Sequence, residues 1–196
     1  MSILVTSRKT TDAAPRKGRL VLVVGPSGVG KDTLLHGARS ALREDRSVHF
    51  LRREITRPRE AGGEDHLPVT LEAFQAREKA GGYLLSWQAH GLAYGVPLAS
   101  AGPLESGATL VVNVSRAVLD KARSLGVGEV RVVSITADPR LLAKRLAERG
   151  RETAVEIEQR LARAQAVAVE GDDVVVIAND GSPEAGVARL VQAIRG

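Results

Sequence analysis

Residues 20–33 read LVLVVGPSGVGKDT: five consecutive apolar residues, a glycine-rich turn, a lysine and the polar start of a helical pattern. A β-branched run of that length, ended by glycine, is a buried strand. Gly25, Gly28 and Gly30 permit a backbone that turns its N–H groups toward one anion, and the helix that follows adds the positive end of its dipole. Lys31 supplies a full charge. A strand, this spacing and the lysine together make the segment a nucleotide-binding P-loop. Gly25, Pro26, Ser27, Gly28, Val29, Gly30, Lys31, Asp32 and Thr33 are therefore the residues expected around the nucleotide phosphates. One position departs from the motif. The last Ser or Thr, whose hydroxyl usually goes to Mg²⁺, is Asp32 here, and Thr33 behind it faces another direction on the helix.

Working outward, further β-branched runs occur at 110–114, 130–135 and 174–178, each followed by a helical pattern. Buried strands alternating with helices predict an α/β fold with a parallel central sheet flanked by helices. Residues 1–18 are polar, basic and without periodicity, and read as a flexible leader; residues 19–196 read as a single P-loop kinase-like domain. Two stretches interrupt its rhythm. From about 52 to 107, paired glycines and four prolines surround one helical segment at 71–80, the pattern of an inserted subdomain; the arginines it carries, taken up below, make it a candidate small substrate-binding insertion. From about 139 to 169 the chain is helical nearly throughout, with Ile157, Leu161, Ala164 and Ala168 in an apolar stripe, the pattern of a helical lid.

The 196 residues carry 28 Lys and Arg against 23 Asp and Glu, a net charge of +5 that favours an anionic partner. With no cysteine, thiolate catalysis and Cys-ligated metals are excluded. Aromatic residues are only 3%, too few for a stacking platform, so nucleic acid is not expected as a partner. No apolar run approaches the roughly 20 residues of a membrane helix, and Ile3–Val5 is too short for a secretory signal; a cytoplasmic protein without membrane association is expected. The four histidines have no metal-site spacing. No serine has the strand-to-helix elbow of a hydrolase.

Two basic clusters remain. Arg52, Arg53, Arg57 and Arg59, followed by His66 and Tyr94, are either a site for a second phosphorylated molecule or a solvated basic strand. Arg145, Arg149, Arg151, Arg160 and Arg163 are either an exposed helix laced with ion pairs or, beside a P-loop, cations that neutralise a phosphoryl group in transfer.

The P-loop, then residues 55–58 (ITRP), Tyr94-Gly95 and Arg145 through Arg163 together resemble, in that order, the guanylate-kinase branch of the P-loop kinases. Within it the chain is more similar to the ribose 1,5-bisphosphate phosphokinases of phosphonate breakdown, through Lys31-Asp32, residues 63–66, Ser86-Trp87, His90-Gly91, Asn113, residues 115–117, 149–152 and 179–182. The resemblance spans roughly residue 19 to the C-terminus. It implies ATP as co-substrate, Mg²⁺ as cofactor, Lys31, Arg145, Arg149 and Arg160 as catalytic, Asn179 near the adenine, and Arg53, Arg57, His66 and Tyr94 on the acceptor. Guanylate kinases hold guanine with an acidic residue and a hydroxyl at positions that are Leu85 and Val96 here. Phosphate recognition is thus kept while base recognition is lost, as expected for ribose 1,5-bisphosphate rather than a nucleotide. Two rival readings are a guanylate or other nucleoside-monophosphate kinase and an inactive, protein-binding module of the same fold. For Mg²⁺, Asp32 is the expected protein anion, because the strand at 110–114 ends near Asn113 and Ser115 rather than in carboxylates.

Overall fold

Strand β1 (Arg19–Val24) is the middle of the molecule because five of its six residues are apolar and fully buried, as a strand covered on both faces requires. The computed structural model describes residues 18–58, 65–148, 161 and 168–196. The leader up to residue 17, and Arg59, Arg149, Arg151, Arg160 and Arg163, lie outside the described residues. After β1 come α1 (Lys31–Ala41), β2 (Val48–Phe50), β3 (Glu54–Ile55), β4 (Leu67–Pro68), α2 (Leu71–Lys79), β5 (Tyr83–Ala89) and β6 (Leu92–Pro97). The chain continues through β7 (Thr109–Asn113), α3 (Leu119–Ser124), β8 (Glu129–Thr136), α4 (Pro139–Glu148), β9 (Val174–Ala178) and α5 (Pro183–Arg195).

Five strands form a parallel sheet in the order β2-β7-β1-β8-β9. Parallel neighbours need crossover connections, and α1, α3 and α4 lie among them, so all carboxyl ends fall on one edge, where ligands bind in such sheets. The two faces of β1 feed separate cores. Leu20, Leu22 and Val24 pack with Leu110, Val112 and Val132 on one face. Val21 and Val23 pack with Leu34 and Ala38 of α1 and Leu190 and Ile194 of α5 on the other.

The insertion expected over residues 52–107 is a second sheet of four short strands, ordered β4-β3-β6-β5, with β5 and β6 an antiparallel hairpin. His90 and Gly91 make its turn, both at positive φ (53° and 73°). β2, the edge strand of the central sheet, had no signal in the sequence. Its three residues are too few for a periodic pattern, and its place comes from the Val48–Phe50 register against Thr109–Val111. A buried polar knot ties the insertion together. The Glu54 carboxylate accepts from the Tyr83 hydroxyl (2.5 Å) and from Arg77 of α2, while Phe74 stacks on the Tyr83 ring. Burial first, and the Glu54 carboxylate second, hold the Tyr83 phenol protonated well above the usual tyrosine range.

Candidate active site

The P-loop leaves β1 at the carboxyl edge and enters α1. Gly28 and Gly30 have φ of 85° and 95°, a region that glycine enters without the Cβ clash other residues meet. They also admit close neighbours: a Cβ at Gly28 would lie 2.7 Å from Leu146 of α4, and one at Gly30 would lie 2.6 Å from the Asn179 amide. The Lys31 ammonium lies inside the loop, donating to the carbonyls of Gly25 (2.6 Å) and Pro26 (3.0 Å), bonds that phosphate oxygens are able to replace.

Asp32 and Thr33, adjacent in sequence, point into different cavities. This is the geometry expected from their roughly 100° separation around a helix. Thr33 faces a cavity of about 320 Å³ that also takes in Gly28, Gly30, Arg145 and Asn179. Among the described residues, two buried polar atoms of that cavity's lining have no hydrogen-bond partner, Nη1 of Arg145 and Oδ1 of Asn179. One is a donor and the other an acceptor, so the cavity is matched to a ligand carrying both functions. Asn179 also braces the loop. Its Nδ2 donates to the Val29 carbonyl at 2.8 Å, and its backbone N–H bonds Thr136, which fixes the end of β9 against β8.

Asp32 faces a cavity of about 250 Å³ on the other side of α1, bounded by Asn113 at the end of β7, Phe50 at the end of β2 with Leu51 after it, and Arg53, His36 and Arg39. Arg53 is nearly buried, with its guanidinium carbon 5.6 Å from the Trp87 ring and 5.3 Å from the Tyr94 ring. Those two rings are cross-strand partners on β5 and β6, stacked at 5.4 Å and only 4° from parallel. A planar guanidinium on such a platform keeps one orientation.

The other acceptor residues implied by the resemblance are placed differently. His66 is 3% exposed, with Nε2 3.0 Å from the Arg57 carbonyl, so its ring braces the bend after β3 that carries Arg57. The Arg57 side chain lines a separate cavity with Thr56, Pro68 and Gln88. Of Arg53, Arg57, His66 and Tyr94, Arg53 alone lines the Asp32 cavity, and Tyr94 supports it from behind. Leu85 and Val96 face each other across β5 and β6 with no exposed surface. His36, Arg39, Phe50 and Asp65 also line the Asp32 cavity. Sequence reasoning passed over them, although Asp32, Leu35, His36 and Arg39 have the spacing of one helix face.

A parallel sheet whose first strand opens through a glycine-rich loop onto α1, with cavities on both sides of that helix and a lysine in the loop, defines a kinase of the P-loop class. Solved structures share the fold. Guanylate kinase from Anaplasma phagocytophilum superposes with a TM-score of 0.65 at 17% identity, covering 92% of this chain and 86% of that one. A gluconokinase from Sinorhizobium meliloti gives 0.52 at 17% identity, covering 92% and 93%. No family model matches the chain. Its relatives in sequence are more specific. It is 53% identical over 171 residues to ribose 1,5-bisphosphate phosphokinase PhnN of Acidiphilium cryptum, 87% of this chain and 89% of that protein. It is 47% identical over 189 residues to the PhnN of a Ruegeria species, 94% and 97% of the two chains. The chain belongs to the ribose 1,5-bisphosphate phosphokinase family.

Proposed function

We propose that the chain transfers the γ-phosphoryl group of ATP to the 1-phosphate of α-D-ribose 1,5-bisphosphate, giving 5-phosphoribosyl 1-diphosphate and ADP. The observation that carries this reading is 53% identity, over 87% of the chain, to a protein of that name. The two cavities give it a geometry. The nucleotide lies on the P-loop with its base toward Thr33, Arg145 and Asn179, and the acceptor lies on the other side of α1 beside Asp32 and Arg53. An oxygen of the acceptor 1-phosphate attacks Pγ, the bond from Pγ to the bridging oxygen of the β-phosphate breaks, and ADP leaves with that electron pair. The attacking oxygen is already anionic at neutral pH, so no side chain has to remove a proton. Alignment and charge remain, which is the usual division of labour in phosphoryl transfer.

Lys31 exchanges its loop carbonyls for phosphate oxygens. Arg145 brings a half-buried guanidinium, with Nη1 fully buried, to the nucleotide side; Arg149 and Arg160, which lie outside the described residues, are assigned by the family resemblance to the same lid, residues 139–169. Arg53 grips the acceptor, with Tyr94 stacked beneath it; Arg57 and His66, assigned to the acceptor by the family resemblance, are the other two members of that set in the insertion, residues 52–107. No group of three or more His, Asp or Glu suited to a metal occurs among the described residues. Mg²⁺ in kinases takes one or two protein oxygens and completes its shell with phosphate and water, so Asp32 and Asn113, which line one cavity, fit that need. When bound there, the ion supplies charge neutralisation at the phosphates.

The fully buried Leu85–Val96 pair disfavours a guanylate kinase, since a base edge would find no polar partner there. The deciding experiment is product identification by phosphorus NMR after incubation with ATP, Mg²⁺ and either ribose 1,5-bisphosphate or GMP. A new diphosphate signal from the bisphosphate is expected. Conversion of GMP without it would overturn the reading.

A further inference from the structure

Helix α1 turns one face, Asp32, Leu35, His36 and Arg39, into the acceptor cavity along its length. Asp32 lies in its first turn beside the P-loop. Arg39 is seven residues on, about 10 Å further along the axis at 1.5 Å per residue. The guanidinium of Arg39 is already aimed. Its Nη1 donates to Asp65 Oδ2 at 3.0 Å, and its carbon lies 5.6 Å from the centre of the Phe50 ring. Arg52 approaches the other oxygen of the same carboxylate at 3.6 Å. Two guanidinium groups thus share one carboxylate, and among the described residues this cluster of Arg39, Arg52 and Asp65 keeps one excess positive charge.

We propose that Arg39 binds the second phosphate of the acceptor, the 5-phosphate remote from the transferring group. The assignment rests on the acceptor reading above. A substrate with a phosphate at each end of a ribose needs cations at both ends of its cavity, and only one end is served by the P-loop. Arg39 stands at the other, separated from Asp32 by a distance of the order that separates phosphates on C1 and C5. Asp65 holds the guanidinium in place without neutralising the Arg39–Arg52 pair, so a phosphate joins the cluster rather than having to build it. Arg39 would then select against monophosphate acceptors, which place nothing at that end.

The test uses Arg39→Ala and Arg39→Met, the second keeping an aliphatic stem over Phe50. Initial rates are measured with ribose 1,5-bisphosphate, and inhibition constants with ribose 5-phosphate and ribose 1-phosphate. We expect KM for the bisphosphate and Ki for ribose 5-phosphate to rise about 10- to 100-fold, the range of a charge-assisted contact. The Ki of ribose 1-phosphate, the KM of ATP and kcat should stay within about threefold, less than a single neutral hydrogen bond is worth. Wild-type turnover of the bisphosphate with an unshifted KM in both variants overturns the proposal alone, as does an equal loss for both monophosphates. Failure of the wild-type protein to use the bisphosphate overturns the acceptor reading and the proposal with it.

Discussion

Replacing Gly30 by alanine tests how the P-loop is held. Two costs add. At φ 95° an alanine sits in the left-handed region, about 1–2 kcal/mol above its usual conformations. Its Cβ would also lie 2.6 Å from Nδ2 of Asn179, a buried amide that donates to Val29 at 2.8 Å. Moving that amide breaks the bond and strands a buried carbonyl, worth about 1–3 kcal/mol. The total is about 2–5 kcal/mol, or roughly 5–15 °C in melting temperature for a domain of this size. Asn179→Ala removes the same bond but also an unpartnered Oδ1, so it should fall near the low end, about 1 kcal/mol. The two substitutions share one contact, so the double variant should be less destabilised than the sum of the singles by about 1–2 kcal/mol. Urea unfolding of the four proteins measures the cycle, and ATP titration by calorimetry should show weaker binding in each single variant. Additivity within about 0.5 kcal/mol would refute the argument that Asn179 clamps the loop through Gly30.

Lys31→Ala should lower kcat by at least about 100-fold with an unchanged circular-dichroism spectrum, because its charge acts on the transferring group. Asp32→Ser should raise the Mg²⁺ concentration for half-maximal activity about tenfold, and adding Asn113→Asp should recover part of that; an unchanged Mg²⁺ curve would remove Asp32 from the metal site. At alkaline pH the unfolded chain releases the Tyr83 proton near pH 10 while the folded one keeps it, so the folded state binds more protons. Stability should therefore fall as pH rises above 10, and Tyr83→Phe should flatten that fall in denaturation series between pH 9 and about 11.

Most of the central sheet was legible because the middles of β1, β7 and β8 are buried on both faces, and burial writes itself as unbroken apolar runs; β9 has such a run although Val175 and Val176 are exposed, and the short edge strand β2 has none. Strands expected at 110–114, 130–135 and 174–178 are β7, β8 and β9 within a residue at either end. The same reasoning shows why the insertion reads as irregular. β3 and β4 have two residues each, and what holds them is the Glu54–Tyr83–Arg77 knot, whose partners lie 29 and 23 residues from Glu54. No local period encodes a contact of that range. A carboxylate in an apolar strand beside a later tyrosine is a weak signal that becomes meaningful only once the strands are paired.

The nucleotide side of the site is legible for a related reason. A P-loop is contiguous, so its geometry is fixed by the glycines and the strand–helix context that the sequence displays directly. The proposed acceptor side is assembled from α1, the ends of β2 and β7, and the insertion, and its residues are individually ordinary. Arg39 on a helix reads as a solvated cation, and Phe50 as core. Trp87 and Tyr94 carry no sign that they stack behind Arg53. What brings them together is sheet register: Trp87 opposes Tyr94 because the His90–Gly91 turn sets the hairpin, and Phe50 reaches Arg39 because β2 pairs with β7 at Val111. Specificity for a small acceptor without a base then follows from where the register puts apolar pairs. A one-residue slip of β5 against β6 would turn Leu85 and Trp87 to the opposite face and remove the platform under Arg53, leaving the P-loop untouched. On the proposed reading, acceptor choice in this chain is set by hairpin register and phosphoryl chemistry by the loop, so the first is free to change while the second is kept.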